Sequence, residues 1–191
     1  MKKITLFLIF FVFVAYSVTA QKSVALHRNG TTPIFSGDTP LTDAYEASVT
    51  GDTLYVSGGN FAAPDTIDKG LIIFGAGYGV DSTAATQKTY LMYSDSLILG
   101  ENTSNLYLEG LEFQGGLYRI TQVAMINFTL IRCKFNSEVH FEGIPTDGAQ
   151  SNASIIQCDF GAQLQLHGIT YSVISNCILR GPLVYSANNV I

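Results

Sequence analysis

Apolar residues recur in fixed columns along the C-terminal half of the chain. Four segments of eight residues align without gaps, at 106–113, 128–135, 153–160 and 172–179, so their starts are 22, 25 and 19 residues apart. Three columns of the alignment are apolar in every segment: Leu108, Leu130, Ile155, Ile174; Leu111, Cys133, Cys158, Cys177; and Phe113, Phe135, Phe160, Leu179. A further apolar column follows each segment by four residues: Leu117, Val139, Leu164, Leu183.

A repeat length in the twenties is typical of stacked supersecondary units. Within a unit, apolar and polar residues alternate over short runs, which is the spacing of a strand rather than of a helix. The first unit therefore predicts three short strands, at 106–108, 111–113 and 117–119, with a bend where the alternation slips by one residue. Successive units are expected to pair in parallel about 4.8 Å apart, with their apolar columns stacked inward.

This pattern resembles the right-handed parallel β-helix of the pectate-lyase-like superfamily. The resemblance rests on the four units and on two earlier stretches, 51–61 and 71–78. It implies an all-β solenoid of about five coils with three strands per coil, from residue 52 to the C-terminus. Because many activities share this scaffold, the resemblance predicts the fold more strongly than the function.

The first twenty residues have the pattern of a secretory signal peptide. Two lysines precede an apolar run over 4–14, and small residues lead up to Ala20. The run is too short to span a membrane comfortably, which disfavours an uncleaved anchor. We therefore expect cleavage after Ala20 and a secreted or cell-surface protein.

The mature chain divides into an N-terminal segment, 21–51, and the β-helix, 52–191. Residues 22–38 indicate a short strand and a loop, and 39–49 a helix. An open β-helix end would expose its apolar interior, so we expect this helix to cap the N-terminal end. The sequence stops inside a repeat, which leads us to expect an N-terminal part of a longer protein with further coils or a sorting domain.

Several residues define the predicted capping helix. Thr39 is the expected N-cap and Pro40 suits the first turn. Gly51 is expected to end the helix. At helical spacing, one apolar face is formed by Leu41, Ala44, Tyr45 and Val49.

Charge narrows the range of partners. Without residues 1–20, which contain two lysines and no acid, 8 basic and 15 acidic residues remain, a net charge of −7. Nucleic-acid phosphates are bound by clusters of lysine and arginine. An acidic secreted domain is a poor match for that requirement, so no nucleic-acid partner is expected.

Three cysteines share one inward column. Their odd number prevents complete pairing within the chain. Buried free thiols, which pack as small apolar residues, are the favoured interpretation for Cys133, Cys158 and Cys177. One disulfide between stacked neighbours and a metal or catalytic role remain as alternatives.

The outward positions of the second strand alternate in charge from unit to unit. They are Glu112, Lys134, Asp159 and Ile178. Neighbouring opposite charges on an outer face predict a solvated ladder of ion pairs that contributes little to stability.

The outward positions of the third strand carry the candidate ligand-binding residues. These are Tyr118, Glu138, His140, Glu142, Gln165 and His167. A flat face with these side chains can stack on sugars and form hydrogen bonds to them, with Tyr118 as the platform. Acid–base work by the histidine and carboxylate, binding of a divalent cation, or an ordinary hydrated face are the alternatives.

Enzymes of the resembled superfamily typically combine calcium-binding acids with an arginine or lysine base on one sheet. The four arginines of the mature chain do not stack in one outward column with paired aspartates: Arg28, Arg119, Arg132 and Arg180. We therefore assign no catalytic or metal-ligating residue and no cofactor. The expected function is non-catalytic binding of an extracellular polysaccharide or cell-surface glycan, or adhesion. The alternative is a polysaccharide lyase or glycoside hydrolase, and only this alternative calls for Ca²⁺.

Overall fold

The computed structural model describes residues 22–79, 87–121, 126–143, 152–169 and 171–186. It is a β-solenoid of about five turns with one short helix near the N-terminus, as the repeat predicted. The predicted signal peptide lies outside the described residues. Within them, no helix is both long and apolar enough to cross a membrane.

The elements follow one another in short steps along the chain. In order they are β1 (Ser23–His27), β2 (Ile34–Ser36), α1 (Pro40–Ala47), β3 (Thr53–Val56), β4 (Gly59–Ala62), β5 (Thr66–Ile67), β6 (Ile72–Phe74), β7 (Thr89–Met92), β8 (Ser96–Leu99), β9 (Tyr107–Glu109), β10 (Leu111–Phe113), β11 (Gly116–Thr121), β12 (Phe128–Ile131), β13 (Lys134–Phe135), β14 (Val139–Gly143), β15 (Asn152–Ile156), β16 (Asp159–Phe160), β17 (Leu164–His167), β18 (Tyr171–Ser175), β19 (Ile178–Leu179) and β20 (Leu183–Ser186).

These strands form three sheets, and from β3 onward every third strand belongs to the same sheet. The first sheet has the order β18-β15-β12-β9-β6-β3-β1-β2, the second β19-β16-β13-β10-β7-β4, and the third β20-β17-β14-β11-β8-β5. Parallel pairing puts the repeat columns in direct register, for example Phe113 beside Phe135 and Phe135 beside Phe160. The predicted parallel stack is therefore confirmed.

The first sheet begins with an antiparallel hairpin that the sequence interpretation missed. Strand β1 pairs antiparallel with both β2 and β3, whereas a single strand and a loop were expected over 22–38. Asn29 and Gly30, at the tip, both have positive φ, of 48° and 77°. Two such residues in succession match the twist of a hairpin, and Asn-Gly is the sequence that adopts them most readily.

Helix α1 packs its apolar side on the N-terminal turns of the solenoid. Leu41 and Ala44 are buried in the main core, as predicted, but Val49 is exposed and Ser48, not Gly51, follows the last turn. The Thr39 hydroxyl donates to the Asp43 carboxylate rather than capping a backbone amide.

The C-terminal carbonyls of α1 are satisfied by cations from the solenoid. Lys69 Nζ donates to the carbonyl oxygens of Tyr45 and Ser48, at 2.6 and 2.8 Å. Arg28 Nη2 donates to the Ala47 carbonyl at 2.7 Å. Positive groups at this end also complement the helix dipole, so the helix is fixed at its C-terminal end.

The predicted inward columns form the core. Phe113, Phe135 and Phe160 stack with ring centroids 4.6 and 5.1 Å apart, and all three are fully buried. The last turn is the exception, because Ile174 and Cys177 are only partly buried and Leu179 is 39% exposed. These inward residues are therefore less buried than those of the central turns, which have a described turn on both sides.

The predicted bend between the first and second strand of a unit has a defined backbone conformation. One residue there takes positive φ in four successive units: Gly110 (68°), Arg132 (49°), Gln157 (54°) and Asn176 (53°). A single left-handed residue turns the chain and shifts the inward alternation by one. This is the slip that the sequence showed.

The outward charges of the second sheet are not solvated as expected. Glu112 and Asp159 are 3% and 7% exposed, so the predicted solvated ladder is wrong for both carboxylates. Lys88 and Lys134 cover Glu112, with nitrogen–oxygen distances of 2.7 and 3.4 Å. Arg180 binds both oxygens of Asp159, through Nε at 3.0 Å and Nη2 at 2.8 Å. Long cationic side chains that lie along the sheet exclude water from the shorter acids.

The three cysteines are free, and Cys133 and Cys158 are buried, as the favoured interpretation predicted. Each thiol donates to the carbonyl oxygen two residues earlier, at Ile131, Ile156 and Ser175. Each thiol thus has a hydrogen-bond acceptor, and no disulfide joins the three cysteines.

Candidate functional site

The six predicted ligand-binding residues lie on the outer side of the third sheet, which we call the third-sheet face. Tyr118 on β11 is in register with His140 on β14, and His140 with Gln165 on β17. Glu142 is in register with His167, and Glu138 immediately precedes β14. The pleat alternates side chains between the two sides of a sheet, which explains why these positions face outward together.

The ring of Tyr118 lies across a glycine. A Cβ atom added at Gly116 would lie 2.2 Å from Cε2 of Tyr118, so the ring occupies space that any other residue would fill. The Tyr118 hydroxyl donates to Oε2 of Glu138 at 3.5 Å. Burial and the negative charge of Glu138 raise the pKa of Tyr118, which keeps the phenol protonated at neutral pH.

A cavity of about 430 Å³ adjoins this ring. Its walls are Asp95, Ser96, Ile98, Gly116, Tyr118 and Ser137. The cavity combines an aromatic ring and an exposed isoleucine with a carboxylate and two hydroxyls. Such a mixture of apolar surface and a few polar groups is typical of small-ligand sites.

His140 occupies the centre of the third-sheet face. Its ring centroid lies 6.2 Å from that of Tyr118 and 5.7 Å from that of His167. Nε2 of His140 lies 3.8 Å from Oε2 of Glu142, too far for a hydrogen bond. Within the described residues, this buried nitrogen forms no hydrogen bond. His140 therefore carries an unsatisfied ring nitrogen in the interior of the face, beside Glu142.

The remaining residues extend the polar part of the face along β17. Gln165 Nε2 donates to Oε1 of Gln163 at 3.0 Å, which orients the Gln165 amide. Gln165 and His167 are both half-buried. The register thus brings all six predicted residues onto one face, with ring contacts from Tyr118 to His140 and from His140 to His167.

The charge of this face is negative. The outward register positions of the third sheet carry Glu138 and Glu142, with Asp95 at the cavity, and no described lysine or arginine. In the part of the chain that the structure describes, no group of three or more histidines, cysteines or acids is arranged to hold a metal ion. The face is suited to hydrogen bonding and stacking with an uncharged ligand.

Sequence reasoning missed the residues that shape the cavity, namely Asp95, Ser96, Ile98, Gly116 and Ser137. The sequence indicated only their positions along the strands. Gly116, for example, begins the strand that carries Tyr118 and lies two residues before it on the same side of the sheet. That spacing permits contact, but a pattern of polar and apolar residues does not specify the direction of a tyrosine ring.

Comparison of the chain with protein-family models, with curated proteins and with solved structures finds no match.

Proposed function

We propose that this protein binds a neutral polysaccharide, extracellular or on a cell surface, through the third-sheet face and without catalysis. The observation that carries the proposal is the Tyr118 ring, seated on Gly116 beside a 430 Å³ cavity. An aromatic ring supplies apolar surface to a sugar, and the half-buried side chains of His140 and Gln165 supply directional hydrogen bonds. Carboxylates at Asp95, Glu138 and Glu142 disfavour a polyuronate by like-charge repulsion.

The proposal includes a fold of the pectate-lyase-like type, with a right-handed coil and three strands in each turn. The succession of strands through three sheets and the parallel pairing of every third strand support this. Crossover connections between parallel strands are right-handed in nearly all proteins. A crystal structure with a left-handed path from β9 through β10 and β11 to β12 would contradict it.

The proposal also includes export, directed by residues 1–20 and followed by cleavage after Ala20. N-terminal sequencing of protein recovered from the medium or periplasm of a secreting bacterial host should begin at Gln21. Retention in the cytoplasm with Met1 or Lys2 first would contradict secretion.

The binding test is affinity electrophoresis of the full chain through gels that contain neutral polysaccharides of glucose, xylose or mannose. We expect retardation, and a loss of affinity of about tenfold or more for Tyr118→Ala with His140→Ala, the size expected for removing a central aromatic contact. Tyr55→Ala is the matched control, because Tyr55 is an exposed aromatic on the first sheet. Retardation that survives the double substitution would remove the third-sheet face from consideration.

The alternative function is a polysaccharide lyase or a glycoside hydrolase, favoured by the His140–Glu142 contact at 3.8 Å. Hydrolysis requires two carboxyl groups about 5–10 Å apart. The Cα atoms of Glu138 and Glu142 are about 13 Å apart along an extended chain, so this pair would meet that requirement only with the two side chains turned towards each other. A steady rise in absorbance of unsaturated uronate, with acidic polysaccharide and Ca²⁺, that disappears in His140→Ala or Glu142→Ala would establish the lyase.

A further inference from the structure

A second concave surface lies at the corner between the first and second sheets, far around the coil from the third sheet. We call it the corner groove. Its volume is about 570 Å³, and its main side chains and turn residues are Tyr78, Gly110, Arg132, Gln157, Asn176 and Ile178. None of these belongs to the third-sheet face.

One wall of the corner groove is the segment 75–79, which is hydrogen-bonded to neighbouring turns of the solenoid. The backbone amides of Gly75 and Gly77 donate to the carbonyls of Glu109 and Gly110, at 2.8 and 2.9 Å. The Tyr78 hydroxyl donates to the Gln157 carbonyl at 3.3 Å. The wall is therefore held in place by the solenoid itself.

The floor of the groove is the column of left-handed bend residues. Gln157 and Asn176 have φ of 54° and 53°, and both side chains are exposed. The first of the four units has glycine at this position, Gly110, which adopts positive φ without steric cost. A glutamine here costs backbone energy that glycine would avoid, and such costs concentrate at binding sites. Gln157 therefore lines the groove with an exposed side chain at a strained backbone position.

The groove is lined by polar groups without net charge. Its charged side chain, Arg132, forms an ion pair with Glu109. The guanidinium and the two amides offer planar donors and acceptors, while the Tyr78 ring and exposed Ile178 offer apolar surface. A sugar fits this combination, because its neighbouring hydroxyls can hydrogen-bond to the planar groups while the apolar face of its ring packs on the tyrosine or isoleucine.

We propose that the corner groove is a second binding site, for a neutral oligosaccharide. The proposal adds a site to the proposed function but stands on its own residues, because no contact in the groove involves Tyr118 or His140. Two separated sites for one polymer would raise the overall affinity above that of either site.

The test is an NMR titration of the ¹⁵N-labelled full chain with neutral hexasaccharides of glucose, xylose and mannose. We expect saturable shifts of the Gln157 and Asn176 side-chain amides, which are assigned from the Gln157→Gly and Asn176→Gly spectra. Gln157→Gly should weaken the binding at this groove by about two- to tenfold, the effect of one lost neutral hydrogen bond. The midpoint of thermal unfolding of the Gln157→Gly variant should be unchanged or higher than that of the parent, since glycine removes the backbone strain.

The controls separate this proposal from the third-sheet face. Tyr118→Ala should leave the Gln157 and Asn176 shifts intact, and their persistence would support the corner groove even if the third-sheet face bound nothing. The absence of shifts at both amides with all three hexasaccharides would overturn the proposal. So would binding at the groove that Gln157→Gly leaves undiminished.

Discussion

At the scale of single residues, Glu112 is the most deeply buried of the described charged side chains, with 3% of its surface exposed. Burial alone would raise its pKa, but hydrogen bonds from Lys88 and Asn136, together with the charge of Lys134, outweigh burial and hold the pKa below its usual range. Glu112 therefore stabilises the fold as a carboxylate. That contribution is complete above the pKa of the unfolded chain, about 4.3, and is lost as the pH falls through the lower folded value.

We predict that Glu112→Gln lowers the free energy of unfolding at pH 7 by about 1–2 kcal/mol. This value is below that for a fully buried pair because solvent reaches both lysines. Urea denaturation from pH 7 to 3 should show less acid destabilisation in the variant than in the parent. Glu46→Gln, at an exposed position of α1, is the control and should change neither quantity.

The thiol column gives a second prediction at this scale. Hydrogen bonding with Cys133 and burial raise the pKa of Cys158 to about 12, and hydrogen bonding with Cys158 and burial also raise that of Cys177. Because the thiolate is the reactive form, native protein at pH 7.5 should resist alkylation by iodoacetamide. Cys177 should be the first to react, since it is the least buried of the three thiols. Unfolding without a reductant should then expose three reactive thiols by mass spectrometry, and fewer would reveal a disulfide.

Which residues share the third-sheet face could be predicted, because strand register follows from period two and the fixed offset between repeat columns. The position of the Tyr118 ring on Gly116 could not, since it depends on a side-chain torsion. The corner groove was also hidden, because neither Arg132 nor Gln157 is a residue that favours positive φ.

At the scale of elements, the start of the first strand is held by an asparagine ladder in three successive units. Asn127 Nδ2 donates to Oδ1 of Asn105 at 3.0 Å, and Asn152 Nδ2 donates to Oδ1 of Asn127 at 3.1 Å. Asn105 and Asn127 also have positive φ, of 61° and 54°. Asparagine suits both demands, because it tolerates this backbone and its amide both donates and accepts.

We predict that Asn127→Ala costs about 1–2 kcal/mol of stability and Asn152→Ala about 0.5 kcal/mol. The first substitution places a Cβ-bearing residue without a polar side chain at positive φ, whereas the second removes only an exposed hydrogen bond. Asn127→Gly should recover most of the loss in thermal unfolding. If glycine and alanine at 127 were equally destabilising, the ladder rather than the backbone would set the cost.

The hairpin of β1 and β2 has a local sequence signal that is separate from the repeat pattern. His27-Arg28-Asn29-Gly30-Thr31 contains the strongest short-range hairpin sequence, Asn-Gly. The repeat columns do not extend to this segment, so an alignment of units could not include it. The bounds of α1 were less predictable, because Ser48 and Lys69 satisfy the helix end from outside its own sequence.

At the scale of the whole molecule, each turn of the solenoid buries its apolar face only against its neighbours. The stability of such a stack is approximately a sum of contributions from turns and from interfaces between turns. Central turns are covered on both sides, as the Phe113–Phe135–Phe160 stack shows. In the last described turn, the inward residues Leu179 and Tyr185 are 39% and 56% exposed. Stability should therefore be graded along the axis.

We predict that one inward column will show this gradient when it is truncated at two positions. Phe135→Ala leaves a cavity between two stacked rings and should cost about 3–5 kcal/mol in urea denaturation. Leu179→Ala, in the same column, removes a side chain that is already 39% exposed and should cost about 1 kcal/mol. Hydrogen exchange should agree, with the amides of β18 to β20 exchanging faster than those of β12 to β14. Equal costs at the two positions would mean that residues beyond the described turn cover Leu179 as fully as Phe160 covers Phe135, and the stack would then behave as one cooperative unit to its end.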